Sequence, residues 1–312
     1  MSDPLVFLSD YLSASIRLSV PLAFAALGGL YSERSGVLNI GLEGLLLTGA
    51  FVSAATVFYT GNVGLATLAA LVVGGLVGLL HAFLCVTLRV DQLVSGLAIN
   101  LSAAGLTAFL SRLVFNSKTT QSLPGIDAIA IPGLKEIPII GSLLFNQDPL
   151  VYLLLLLVPL STYILFQTSL GLTLRAVGES PRAAETAGIQ VTLVRYLSVA
   201  LSGCLAALGG AYLVLAQVKF FMEDISAGKG FIALAALIFG KWHPVSTVSA
   251  CILFGATEAL QLRIQAFNLN IPYQFLIMLP YITALFALVG LVGKSTPPAA
   301  LGVPYIKENL NK

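Results

Sequence analysis

Charge is what this sequence has least of. Of its 312 residues only 10% are Asp, Glu, Lys or Arg, while 57% are hydrophobic. A soluble domain carries about 25% charged residues, so the deficit excludes a chain whose whole surface meets water. Mean hydropathy is +0.95, which fits a chain solvated mostly by lipid. The formal net charge is only +2, and no basic run of about 5 to 8 residues occurs. Nucleic acid is therefore not an expected partner. The three cysteines, Cys85, Cys204 and Cys251, are odd in number and lack a C-x-x-C spacing. They indicate neither a disulfide framework nor a zinc site. The two histidines, His81 and His243, stand alone and read as packing or loop residues. The start, "MSDPLVFLSD", has no Lys or Arg ahead of its apolar part and does not read as a secretory signal.

Catalytic signatures are missing as well. There is no G-x-S-x-G and no H-E-x-x-H. "LVGLVGKST" at 288–296 approaches the phosphate loop G-x-x-x-x-G-K-[ST], but Leu288 stands where the first glycine belongs. Pro297 and Pro298 block the helix that should follow. A phosphate loop works through backbone amides at a helix N-terminus. This stretch reads instead as the end of a membrane helix with Lys294 snorkelling to the interface. No cofactor, nucleotide or metal is expected on this chain.

What the sequence does contain is apolar runs. A bilayer core needs about 20 mostly apolar residues per helix. Stretches that qualify lie near 11–31, 40–58, 62–87, 92–115, 150–167, 195–217, 246–264 and 274–293, while "FIALAALIFG" at 231–240 is too short to span alone. Backbone groups must be satisfied inside lipid, so these runs are helices; a barrel would show short alternating segments. The expectation is an all-α polytopic membrane protein, one domain over 1–312, with about 8–10 transmembrane helices. Two connections are long. Residues 116–149 are rich in Pro and Gly and read as a folded external loop with one short surface helix. Residues 168–194 carry Arg175 and Arg182, with Arg195 just beyond, and are cytoplasmic by the positive-inside rule. Counting spans back places Arg34 and Arg89 inside and the N-terminus outside. The tail with Lys294, Lys307 and Lys312 then falls inside, and Lys118, Lys135, Lys219 and Lys229 outside.

The sequence also echoes itself. "AALGGLY" at 25–31 returns as "AALGGAY" at 206–212. "NIGLEGLLLTGAF" follows the first copy and, after a loop, "GFIALAALIFG" follows the second. Five spans separate the copies, so they point in opposite directions, the inverted-repeat pattern of transporters. The alternative is chance reuse of Ala and Gly at close helix contacts.

Polar groups break this pattern at few places. Asn39 and Glu43 share one helix face by their i, i+4 spacing. Gly36, Gly41 and Gly44 beside them permit close backbone approach. A carboxylate just inside a span is costly unless it faces protein or water. Glu43 either fixes packing, by pairing with a backbone amide or Arg34, or lines a pathway. Asn100 and Glu258 pose the same choice.

The 168–194 loop holds a start signal, Ser180 then Pro181, and a stop signal, Gly188. Between them lies a helix of about two turns, too short to be stable alone. It must dock on something. Ala183, Ala184 and Ala187 read as one small, smooth face, with Arg182 and Glu185 pointing elsewhere.

"ERSGVLNIGLEGLLLTGAF" (33–51), "LRAVGESPRAAETAGI" (174–189) and "GKGFIALAALIFGKWHP" (228–244) together resemble membrane permease subunits of ABC importers. The superfamily is the one serving branched-chain amino acids, simple sugars and nucleosides, and the nucleoside and simple-sugar branch is the nearest match. The likeness spans about 20–293. It implies a type II importer-like fold in the cell (inner) membrane. It also implies a second permease subunit, cytoplasmic ATPase subunits that use the ATP, and an external binding protein. The resemblance places the coupling contact with the ATPase on Arg175, Gly178, Glu179, Pro181, Ala183, Ala184, Ala187 and Gly188. It leaves Asn39, Glu43, Asn100 and Glu258 as pathway candidates. A secondary transporter would explain the spans and the repeat but not the docking helix. A membrane enzyme would need a catalytic cluster.

Overall fold

The computed structural model describes residues 4–115, 122–130, 141, 143, 145–266, 272–290 and 295–306. Among them every long apolar run is a helix, as backbone polarity in lipid requires. The helices are α1 (Pro4–Arg34), α2 (Leu42–Thr60), α3 (Val63–Ala82), α4 (Gln92–Phe115) and α5 (Pro149–Gln167). There follow α6 (Ser169–Glu179), α7 (Pro181–Thr186), α8 (Val191–Tyr212), α9 (Lys229–Phe239) and α10 (Pro244–Ala266). Short π-helical turns extend α3 over Phe83–Thr87 and α8 over Leu213–Val218. Among the described residues, seven helices are long and apolar enough to cross a membrane. The eighth expected span is described only in part, as α11 (Tyr273–Ile277) and α12 (Leu279–Gly290). Pro280, which cannot donate an amide to the turn before it, accounts for the interruption at Met278. Lys294 and the tail lysines 307 and 312 lie outside the described residues.

The 116–149 connection departs from expectation where it is described. Ile129–Ala130 (β1) pairs antiparallel with Asn146–Gln147 (β2). The backbone otherwise follows α8: Ile126 donates to the Leu215 carbonyl and Leu123 to that of Lys219, both at 2.8 Å. The short surface helix expected in this loop falls on residues that are mostly outside the described set.

Burial sorts the helices into two layers. α1 and α8 are mostly enclosed, whereas α3, α4 and α5 expose most of their length. Exposed positions on α3 and α4 include Leu68, Val72, Leu76, Leu101, Leu106 and Phe109, a surface suited to acyl chains. The two central helices touch backbone to backbone. A Cβ added at Gly28 would stand 2.6 Å from the Ser202 carbonyl, and one at Gly209 would stand 2.7 Å from that of Pro21. Gly28 and Gly209 hold the same place in the repeated "AALGG", and each rests on the residue seven before the other. This reciprocity is what a two-fold relation between the copies demands.

Each copy then breaks. After α1 the chain runs without helix over 35–41 before α2, and after α8 over 219–228 before α9. The first break does not stay at the membrane surface. Asn39 reaches Ser202, eleven residues into α8, or about 17 Å at 1.5 Å per residue. α2 therefore starts deep in the bundle, and the start of α9 meets it there. A Cβ on Gly230 would collide with the Glu43 backbone. The expectation of an inverted repeat thus has its structural counterpart in two half-helices whose N-termini abut at one buried point.

Candidate functional site

Glu43 occupies that point. It is 8% exposed. One carboxylate oxygen accepts from Ser226 Oγ at 2.5 Å and from the Gly228 amide at 2.8 Å. The other accepts from the Gly230 amide at 2.6 Å. These amides belong to the first turn of α9, which has no intrahelical partners for them. The positive end of the helix dipole lies at the same spot. A carboxylate is thus the complement this half-helix needs, and Gly230 lets the backbones close around it.

Asn39 and Asn100 shape the break itself. Asn39 donates to Ser202 Oγ at 2.9 Å and accepts from the Gly41 amide at 3.1 Å. Asn100 accepts from the Gly44 amide at 2.7 Å and donates to the Ile40 carbonyl at 3.0 Å. Between them they satisfy a non-helical backbone that lipid could not. His81, which the sequence marked only as an isolated histidine, and Gln92, which it did not mark, help as well. His81 contacts the Leu38 carbonyl at 3.1 Å and Ser95 Oγ at 2.9 Å, and Gln92 accepts from the Leu38 amide at 2.7 Å.

Glu258, on α10, is joined to a residue the sequence reading placed outside the membrane. Lys229 Nζ donates to both its carboxylate oxygens, at 2.6 and 2.7 Å. Lys229 is therefore not an external-loop charge: it opens α9, one residue from the Glu43 cluster. The ion pair borders a cavity of about 150 Å³, whose other walls include Gln261, Tyr281 and Phe254.

At the C-terminal end of α9 the chain turns through two left-handed residues, Lys241 (φ 52°) and Trp242 (φ 53°). Such backbone is unfavourable away from glycine and needs holding. Arg34 donates twice to the Trp242 carbonyl, at 2.8 and 3.0 Å. The Trp242 indole donates to the buried Glu33 at 2.6 Å. His243, stacked on Phe166 with centroids 4.9 Å apart, has its pKa lowered by burial and by the nearby Arg34 charge. The family-like "ER" and "KWHP" strings thus meet in one fastening.

The 168–194 connection contains more helix than the sequence suggested. α6 precedes α7 and packs its small Gly178 against the Arg34 carbonyl. Arg175 lies over the Phe166 ring, 5.1 Å from its centroid. Ser180 is the N-cap residue of α7 but makes no side-chain cap bond there; Pro181 at the first position needs no amide partner. Gly188 ends the helix with φ +85°, donating to the Glu185 carbonyl at 2.8 Å while Ile189 donates to that of Ala184 at 3.0 Å. The three alanines do not share a face. Ala184 is 3% exposed and packs with Val177 and Val191, whereas Ala183 and Ala187 are exposed. A six-residue helix must be anchored to its own chain before it can present anything, and Ala184 is the anchor.

A strap over residues 295–306 crosses this region. The Ala300 amide donates to the Gly178 carbonyl at 2.9 Å, Gly302 to Gly36 at 3.2 Å, and the Ala299 amide to Glu179 at 3.2 Å. Arg195, 1% exposed, donates to the Val303 carbonyl at 3.2 Å. Tyr305 donates to Glu185. Burial and that carboxylate push its phenol up to about 12, so it stays a donor at neutral pH.

Comparison with known proteins places this architecture. Residues 11–292 match the family described as branched-chain amino acid transport system / permease component. Over 98% of this chain and 99% of the relative, the sequence is 41% identical to the guanosine ABC transporter permease protein NupQ of Bacillus subtilis. It is 40% identical to the nucleoside ABC transporter permease protein NupC of Lactococcus lactis, over 93% of this chain and 94% of that one. Identity is 36% to the putative glucose ABC transporter permease protein TsgC13 of Haloferax volcanii, over 84% and 80%. No solved structure matches the chain. ABC permeases are transport subunits rather than enzymes and work with ATPase and binding-protein partners. With its family matched over nearly its whole length and seven helices able to cross a bilayer, this chain belongs to the branched-chain amino acid transport system / permease component family, as a multi-pass cell-membrane subunit of an ABC transporter.

Proposed function

We propose that the chain carries nucleosides into the cell as one permease subunit of an ATP-driven importer, beside a second permease subunit and an external binding protein. The observation that carries this reading is near-full-length identity of about two in five to permeases named for guanosine and nucleosides. The chemistry is compatible. A nucleoside is neutral and asks for hydrogen bonds and apolar walls rather than fixed charge. Glu43, Asn39 and Asn100 are occupied with backbone. A simple sugar is the second reading, favoured by the Haloferax relative. Nanomolar binding inside the pathway, about −12 kcal/mol, would make release slow, so affinity belongs to the external protein. The test is radiolabelled uptake in a strain lacking this chain. Guanosine, adenosine, uridine and cytidine uptake should fall and return on complementation. Unchanged uptake of all four, with loss of a sugar or amino acid instead, would overturn the nucleoside assignment.

ATP is used by the partner, and the contact with it is assigned to α7 and its flanks, from Arg175 to Gly188. Because Ala183 is exposed and Ala184 buried, the two should respond differently to the same change. Ala183→Arg should leave the protein stable in the membrane while abolishing uptake and ATPase co-purification. Ala184→Arg should unseat α7 and lower the detergent melting temperature. Wild-type coupling in a well-expressed Ala183→Arg variant would remove α7 from the interface.

A further inference from the structure

The chain presents two unlike faces to its surroundings, and the difference tells where the solute passes. On α3 and α4 the large exposed side chains are mostly leucine, valine and phenylalanine, and the one charged residue exposed there, Arg112, stands in the last turn of α4. The face formed by α9, α10 and α12 also exposes apolar side chains, Ile252, Leu260 and Phe286 among them, but it carries a charged pair as well. Lys229 and Glu258 pair there, with 12% and 26% of their side chains exposed. Gln261 and Tyr281 line the same cavity.

Depth makes the contrast meaningful. Lys229 lies ten residues from the cytoplasmic end of α9 and Glu258 fourteen from that of α10, about 15 and 21 Å along the helices. In a hydrocarbon core about 30 Å thick both are near the middle. Partly exposed charge at that depth faces protein or water, not acyl chains. We infer that this face lines the translocation pathway. Lys229, Glu258, Gln261 and Tyr281 form the mid-membrane polar station that the solute crosses, and the opposing wall comes from the second permease subunit. The inference rests on the permease reading above, and it adds which surface the route follows and which groups meet the solute there. Gln261 and Tyr281 offer hydrogen bonds to hydroxyls or a base edge. The ion pair offers a donor and acceptor set without net charge, suited to a neutral polar solute. Glu43, reaching from α2 to the amides at the start of α9, holds the station in place.

Thiol accessibility in the assembled transporter tests this. Native Cys85, Cys204 and Cys251 are replaced by alanine, and single cysteines are placed by Gln261→Cys and Tyr281→Cys, with Val72→Cys and Leu101→Cys as lipid-facing controls. The thiolate is the reactive form and needs water. A membrane-impermeant charged thiol reagent, applied during ATP-driven turnover, should modify the first pair about tenfold faster or more than the controls. Saturating guanosine should slow it. Modification at the control rate, or modification that no tested solute slows, overturns the assignment. Slowing by glucose and not by guanosine keeps the route and shifts the failure to the nucleoside reading. A second variant separates transport from packing. A dry structural ion pair can often be replaced by apolar residues without loss of stability. Lys229→Leu with Glu258→Leu should therefore leave assembly and melting temperature intact and cut uptake about tenfold or more. Unchanged uptake in that variant would also overturn the inference.

Discussion

Glu43→Leu is expected to be lost from the membrane or recovered with a strongly lowered melting temperature. The substitution strands three donors, Ser226 Oγ and the amides of Gly228 and Gly230, that the carboxylate now satisfies. An unsatisfied buried donor costs about 1–3 kcal/mol. Relief from burying the charge offsets part of this, and removal of one side of a buried polar cluster typically costs about 3–5 kcal/mol. Glu43→Gln should fall between, because it keeps one acceptor oxygen but turns an NH2 group toward a donor. Thermal unfolding in detergent checks both. Wild-type melting with abolished uptake in Glu43→Gln would show instead that Glu43 acts on the solute.

Gly210→Val should have the second-largest effect. In the structure a Cβ at Gly210 collides with the Leu46 carbonyl and comes within 2.7 Å of the Ala50 amide. These are backbone atoms of α2, so no side chain can swing away. Overpacking a core usually costs about 1–3 kcal/mol, and a rigid helix crossing sits at the top of that range. Gly105→Ala is the matched control. It lies on α4 with no atom within 4 Å of the added Cβ, and it should be neutral or stabilise by up to about 1 kcal/mol through helix propensity. Equal melting temperatures for Gly210→Val and wild type would remove the close crossing from the account.

The spans could be read from the sequence because length and hydropathy are local. The stretch 92–115 coincides with α4, and 150–167 differs from α5 by one residue. The helix ends at Pro181 and Gly188 were equally local. α6 was not legible: "SLGLTLRAVGE" has two glycines and lies where a loop was expected, and it is its packing on Arg34 and Phe166 that explains it. The alanine face was misread because a sequence does not say which side of a two-turn helix is held. The partners of Glu43 and Glu258 were invisible for a different reason. Ser226 and Gly230 are more than 180 residues from Glu43. Lys229, only 29 residues from Glu258, was hidden by its assignment to an external loop. The repeat was the one long-range signal in the sequence, and its two copies pack on each other through Gly28 and Gly209.

The two half-helices also impose an order on biosynthesis. The polar groups of the first break are completed only by later residues: Glu43 by Ser226 to Gly230, and Glu33 by Trp242. At about 5–20 residues per second, a ribosome needs about 10–40 s to add the intervening chain. For that interval the first hairpin waits in the bilayer with a carboxylate and an incomplete backbone turn. A chain released before Trp242 emerges would carry Glu33 without the indole partner that the full chain supplies.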